Sequence, residues 1–325
     1  MLNCVIIIPT LNEEGKIGEL IQSLKGDEYP NKEIIVVDGG SKDKTVEISK
    51  KNGAIVIIEQ KGNKSSPALA RNQGAMHAIE NENAEVLCFI DGDLVLSPDF
   101  ISHGMFHFNT NPKIAAVRTI ADSIRDSLLM KSYSPIVDMT KLIKEDDDSP
   151  PPPAHFYRSE IFEQAGGFEP LGFREDWALH NKVREIAHKD GRKIVLEEKC
   201  IRYGKLDSVK DFYKQQEWYG RTFFPYAKHA GWEKGLKDLF VLMPIGYVIN
   251  IIVSLGAFSI TGKSIFLILG VPFGIKMIKI IYRSIKYQSA YVFPHFLLNS
   301  IGNYFFIKGM MKYIIGDNRL SRGDE

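Results

Sequence analysis

The sequence is poor in cysteine: its 325 residues include three, Cys4, Cys88 and Cys200, set far apart in or beside apolar runs. No spacing among them suits a zinc site or a disulfide framework, so they read as reduced residues of the interior. An excess of either charge is also lacking, since 41 lysines and arginines face 40 aspartates and glutamates, for a formal net charge of +1. That balance removes any global electrostatic reason to expect nucleic acid as a partner. The N-terminus has no basic region and no small-residue cleavage site but runs directly into an apolar stretch, so no signal peptide is expected. After that stretch comes the run Pro9-Thr10-Leu11-Asn12-Glu13-Glu14, where a triphosphate-binding chain would carry a glycine-rich, basic loop.

What is present, up to about residue 232, is an alternation of short β-branched runs with amphipathic charged stretches. Strands are expected at 4–9, 33–38, 54–59, 86–90 and 115–119, and helices at 13–25, 44–51 and 67–80. Strands separated by single helices predict an α/β fold with a mostly parallel sheet, whose ligands gather beyond the carboxyl ends of the strands.

Beyond that point the composition shifts. Residues 239–262 contain no charged side chain and are long enough to cross a hydrocarbon core of roughly 30 Å. A second apolar stretch, 264–282, carries Lys276 and Lys279 near its end, where long stems can reach the headgroups. Lys234 and Lys237 precede the first stretch, and Arg283 and Lys286 follow the second, which places both outer flanks on the cytoplasmic side. A third uncharged stretch, 287–307, repeats His295, Asn299 and Asn303 every four residues, as a helix in the interface or packed on the hairpin would. The expectation is a catalytic domain over 1–232 in the cytoplasm. A membrane region over 233–325 then holds a hairpin at about 239–260 and 264–282 and an amphipathic helix at about 288–315. The alternative is a buried helical subdomain of a soluble enzyme.

Two motifs sit at strand ends. In VVDGGSKDKT, Asp38 closes a β-branched run and is followed by Gly39, Gly40 and Ser41. A carboxylate there can accept hydrogen bonds from a base or a ribose, and glycine permits close backbone approach; a turn closed by an Asx cap is the plain alternative. In the second motif the run 86–90 leads into Asp91, Gly92 and Asp93. Two carboxylates flanking a glycine on one loop can turn toward a single hard cation, Mg2+ or Mn2+, that bridges a diphosphate; otherwise they form a solvated turn.

With IIIPTLNEE at 6–14, VVDGGSKDKT at 36–45, ALARNQGA at 68–75 and DGD at 91–93 in that order, the chain resembles the family 2 glycosyltransferases of GT-A fold. AGGF at 165–168 and REDWAL at 174–179 extend the likeness. The resemblance implies inverting transfer from a nucleoside diphosphate sugar; a UDP- or GDP-linked donor, a lipid-linked or polysaccharide acceptor and contact with membrane lipids are expected. Carried over residue by residue, it puts Pro9, Thr10, Asn12 and Glu13 at the edge of the nucleotide pocket and Asp38, with Gly40 and Ser41, at the base or ribose. It has Arg71 reaching the nucleotide, Asp91 and Gly92 at the ribose or metal, and Asp93 as direct metal ligand. Asp176 would be the general base, with Glu175 as its rival and an ordinary acidic helix start as the plain alternative. The family often has a second acid after the one at the end of its second strand; here Gly39 stands there instead. KQQEWYGR at 214–221 resembles the QxxRW element of processive members but has Glu217 where their arginine stands, so single-sugar transfer is expected.

Overall fold

The structure, a computed structural model, describes residues 1–59, 66–123, 154–204, 208–235 and 292–317, together with residues 259, 261 and 319. The chain divides into two compact units; of the described residues, 1–59, 66–123, 154–204 and 319 belong to the first and 208–235, 259, 261 and 292–317 to the second.

The first unit is built on a sheet of eight strands: β1 (Cys4–Thr10), β2 (Lys32–Asp38), β3 (Ile55–Ile58), β4 (Val86–Phe89), β5 (Val95–Leu96), β6 (Ile114–Ser123), β7 (Ala154–Arg158) and β8 (Lys193–Gly204). Their order is β3-β2-β1-β4-β7-β6-β8-β5. The expected parallel arrangement holds for β1 to β4, in register from Cys4 opposite Lys32 to Thr10 opposite Asp38. Beyond β4 the sheet is mixed, because β7 runs antiparallel to both β4 and β6, and β5 antiparallel to β8. Reversed strands need no helical crossover, so no helix rhythm announces them.

Alternation along β1 divides the core. Cys4, Ile6 and Ile8 face one layer with Ile17, Leu20 and Ile21 of α1 (Ile17–Gly26) and Phe100 and Met105 of α4 (Phe100–Thr110), while α2 spans Thr45–Lys51 and α3 spans Pro67–Glu82. Val5 and Ile7 face the other layer, with Ala70, Ala75 and Ala78 of α3 and, beyond α5 (Ser159–Gln164), Leu179 and Val183 of α6 (Glu175–Lys189). Helix α1 starts four residues later than expected, since Glu13 to Lys16 form a turn in which the Glu13 carbonyl accepts from Lys16 and Ile17. Helix α3 starts cleanly: Ser66 accepts from the Leu69 amide, and Pro67 occupies the first turn. It also lies close to the sheet, because a Cβ on Gly74 would stand 2.6 Å from Ile7 Cγ2 and 2.9 Å from Val37 Cγ2.

The second unit pairs α7 (Val209–Ala230) with α8 (Val292–Ile314). The helices touch backbone to backbone: a Cβ on Gly220 would lie 1.8 Å from the Phe306 carbonyl oxygen, and one on Gly309 1.9 Å from that of Glu217. Tyr213 stacks on Phe305 at 4.7 Å, and Phe223 meets Phe306 edge-on at 5.9 Å. Glu217 is buried between the helices, where it pairs with Lys308 at 2.7 Å and with Lys312.

Among the described residues, no helix is long and apolar enough to cross a membrane. The stretches 239–262 and 264–282 expected to do so lie outside those residues, as do the side chains of His295, Asn299 and Asn303. The helix expected at about 288–315 is α8, and it packs along α7.

Candidate active site

The carboxyl ends of β1, β2, β3 and β4 lie side by side in register; β1 and β2 end in Thr10 and Asp38, and Glu59 and Asp91 follow β3 and β4. Asp38 is 1 % exposed. Its Oδ2 accepts the amides of Gly40 at 2.9 Å and Ser41 at 3.0 Å, and Gly40 has the left-handed φ of 91° that this turn requires. Its Oδ1 is buried with no hydrogen-bond partner among the described residues. The turn cap and the ligand site are therefore compatible: one oxygen closes the loop and the other remains. Thr10, opposite Asp38 on β1, likewise has a buried Oγ1 without a hydrogen-bond partner among the described residues.

The segment after β1 is fastened to the segment after β2. Asn12 is left-handed at φ 58°; its amide donates to Ser41 Oγ at 2.8 Å, and its Oδ1 accepts from Lys42. The Glu13 amide donates to Thr45 Oγ1 at 2.8 Å. Asn12 and Ser41 thus shape the rim of this end of the sheet, next to the half-buried Pro9.

After β4 the loop lies down on β1, since a Cβ on Gly92 would stand 2.8 Å from Thr10 Cγ2. Asp91 is 53 % exposed, and Asp93 is half-buried beside it. Helix α3 projects Arg71 over this loop, its side chain only 13 % exposed, with Nη2 at 2.7 Å from Asp91 Oδ1 and Nη1 at 2.5 Å from Glu175 Oε1. Burial works against the charge of Arg71, but Asp91 and Glu175 outweigh it and hold the guanidinium firmly protonated. The cation also lies 5.3 Å from the centre of the Phe168 ring.

Asn72, next in sequence, fastens the same segment. Its Nδ2 donates to the Phe168 carbonyl and its Oδ1 accepts the Phe168 amide, both at 2.8 Å, and a side chain on Gly167 would strike it. The Arg71–Asn72 pair therefore ties α3 to the AGGF and REDWAL segments about a hundred residues away.

Glu175 and Asp176 open α6, where negative charge favours the helix dipole. The residue before them, Arg174, takes a left-handed φ of 56°, uncommon for a long side chain, and lies over the rings of Phe173 and Trp177. Glu175 is buried, with Oε2 accepting the Gly172 amide at 3.2 Å; burial, with Asp176 and Asp91 nearby, pushes its carboxyl up to about 7 against the pull of Arg71. Asp176 is half-buried, and its Oδ1 accepts the Trp177 amide. Of the two acids Glu175 is committed to Arg71, and Asp176 is the more accessible.

Two further residues belong here and were not singled out in the sequence. Glu59, at the end of β3, is 5 % exposed, and its amide donates to the Asp38 carbonyl at 2.9 Å. Its signal was an acid closing a β-branched run, the one that marked Asp38. Tyr157 of β7 has a buried hydroxyl without a partner among the described residues; burial, with Asp176 nearby, pushes it up. No sequence signal marks it.

Residues 5–165 match the family model described as Glycosyl transferase family 2. A dolichyl N-acetyl-α-D-glucosaminyl phosphate 3-β-D-2,3-diacetamido-2,3-dideoxy-β-D-glucuronosyltransferase from Methanococcus voltae is 25% identical over 329 residues, 94% of this chain and 97% of its own. A poly-β-1,6-N-acetyl-D-glucosamine synthase from Staphylococcus epidermidis is 32% identical over 114 residues, 34% of this chain and 26% of the synthase. Among solved structures, the mannosyltransferase PcManGT from Pyrobaculum calidifontis, in complex with GDP-Man and Mn2+, superposes with a TM-score of 0.57 at 16% identity, covering 97% of this chain and 88% of that one. The fold is the one the resemblance implied, and the chain carries a glycosyl transferase family 2 domain and is a glycosyltransferase.

Proposed function

We propose that the protein transfers a single sugar from a UDP- or GDP-sugar to a lipid-linked, membrane-proximal acceptor, with inversion at the anomeric carbon. The observation that carries this reading is the reach of Arg71, one guanidinium joining Asp91 at the end of β4 to Glu175, the neighbour of Asp176. Acids that would hold a cation at the donor's diphosphate thus stand close to an acid suited to the acceptor.

In the reaction, an acceptor oxygen attacks the anomeric carbon while the bond from that carbon to the diphosphate breaks. Asp176 takes the acceptor's proton and the nucleoside diphosphate leaves. Asp38 and the rim at Thr10, Asn12 and Glu13 hold the nucleoside. Asp91 and Asp93 would hold Mn2+ or Mg2+, which neutralises charge on the departing diphosphate when bound. Two carboxylates on a loop pressed against β1 are hard oxygen donors of the kind such a cation takes, and Asp91 would share its carboxylate between the cation and Arg71, which already holds Oδ1. Among the described residues there is no group of three or more metal-ligating side chains.

The Methanococcus relative is named for transfer to a lipid-phosphate-linked sugar, which supports an acceptor of that class. Attachment to the membrane is proposed from the uncharged stretches 239–262 and 264–282 and their basic flanks. Glu217, buried against Lys308 and Lys312, supports single transfer over processive synthesis, because the arginine of the processive element is absent.

The test is nucleoside diphosphate release from a panel of nucleotide sugars, with and without Mn2+, on lipid-linked saccharide and on free polyprenyl phosphate. Transfer to a saccharide hydroxyl should need Asp176, so Asp176→Asn should lose most of its turnover. Near-normal turnover would instead assign a phosphate acceptor, whose oxygen is already anionic. A nucleotide-sugar-binding adaptor would release no diphosphate under any condition.

A further inference from the structure

Phe89 of β4, Tyr157 of β7, Phe162 of α5 and Phe168 pack their rings together on the α3 and α6 side of the sheet. Phe89 meets Phe168 edge-on at 4.9 Å and Tyr157 edge-on at 6.1 Å, and Phe168 is the ring over which the Arg71 guanidinium lies. Tyr157 is also fixed by its strand, which pairs at this position with Leu87 of β4 on one side and Ala116 of β6 on the other. The other rings of the cluster are phenylalanines, so packing alone is met by a phenylalanine at 157 as well. What packing leaves unexplained is the hydroxyl: Tyr157 is 1 % exposed, and its oxygen has no hydrogen-bond partner among the described residues. A buried hydroxyl in that state lowers stability, which a phenylalanine would not do.

The charged groups that act on this hydroxyl are Asp176, at the start of α6, and Arg71. Burial and Asp176 keep the phenol protonated against the pull of Arg71, so it serves as a hydrogen-bond donor and not as an acid or a base. We infer that Tyr157 is a positioning residue for Asp176: when the acceptor is bound, its hydroxyl donates to the Asp176 carboxylate and directs that carboxylate at the acceptor's hydroxyl. This rests on Asp176 as the base, as proposed above. The buried hydroxyl does not reach the substrate, so it acts through Asp176 alone. The acceptor's proton passes to Asp176 and the phenol keeps its own. A base works best when a third group orients it, and a donor mounted on an inner strand is a rigid one. The same hydrogen bond favours the ionised carboxylate, the form that can take a proton.

Tyr157→Phe keeps the ring and removes the hydroxyl. On a lipid-linked saccharide its kcat should fall about tenfold with the donor KM unchanged. The acid limb of its pH–kcat profile should move up by about one unit, because the ionised base has lost a donor. Its thermal unfolding midpoint should hold or rise, since a buried hydroxyl without a partner has gone. Added to Asp176→Asn, it should lower the residual turnover no further. Wild-type kcat and an unmoved acid limb in Tyr157→Phe, with Asp176→Asn losing most of its turnover, overturn the positioning role and leave Asp176 as the base. A lowered midpoint, or failure to fold, shows the hydroxyl already bonded in the resting protein and overturns it as well. Near-normal turnover in Asp176→Asn removes the base itself, and both readings fall together.

Discussion

Glu175 and Glu217 are both glutamates buried in a helix with basic partners, yet their carboxyls are displaced in opposite directions. Glu175 divides one arginine with Asp91 and has Asp176 as its neighbour, and burial pushes it up to about 7. Glu217 has Lys308 and Lys312 together, and although burial raises its carboxyl, the two lysines outweigh that and hold it below the ordinary range. Burial alone therefore does not decide the state of an acid; the number of cations per carboxylate does. The first arrangement leaves a site electrically unfinished, as catalytic sites are. The second makes a strut.

The widest separation between the two regions should come from Asp93→Ala. Turnover in nucleoside diphosphate release should drop by about a thousandfold, while the thermal unfolding midpoint moves little; unchanged turnover would remove the metal-binding role. Gly220→Ala attacks the other region. Its new methyl meets a backbone carbonyl and forces the helices apart, and we expect a loss of about 3 kcal/mol in denaturant unfolding. Glu217→Gln should cost less, about 2 kcal/mol, because Lys308 is partly exposed and water can solvate it when its partner's charge is removed.

The smallest effects are the most diagnostic, because they differ in sign. Glu175 has a raised folded value, so its contribution to stability is full below about 4.5 and is lost as pH rises toward about 7. The stability difference between wild type and Glu175→Gln should therefore fall across that interval. Glu217 has a lowered folded value, so its contribution is present above about 4.5 and is lost as pH falls below it. Parallel slopes for the two variants in pH-dependent unfolding would show that the cation count does not govern them.

The ends of β1, β2 and β4 were legible in the sequence because each is a continuous apolar run stopped by a polar residue, the pattern of a strand buried on both faces. Asp38, Asp91 and Asp93 follow directly from those stops. The later sheet was not legible: β8 is interrupted by Glu197, Glu198 and Lys199, and β7 is too short and too mixed to stand out from its surroundings. The reversal of β7 is a fact of pairing, which one sequence does not carry. Arg71 was expected at the nucleotide, and what the structure adds is its pairing with Glu175, a contact spanning 104 residues. Glu59 carried the strand-end signal without flanking glycines, which is why Asp38 was read as a site and Glu59 as a strand end.

The missing side chain at Gly74 sets the height at which α3 rides over Ile7 and Val37. Arg71 lies three residues earlier on that helix, and its ends already rest on two anions at 2.7 and 2.5 Å. A methyl group at 74 would act as a shim, lifting the helix while leaving the arginine no slack, so the link between the two acids would part at a position that touches neither of them.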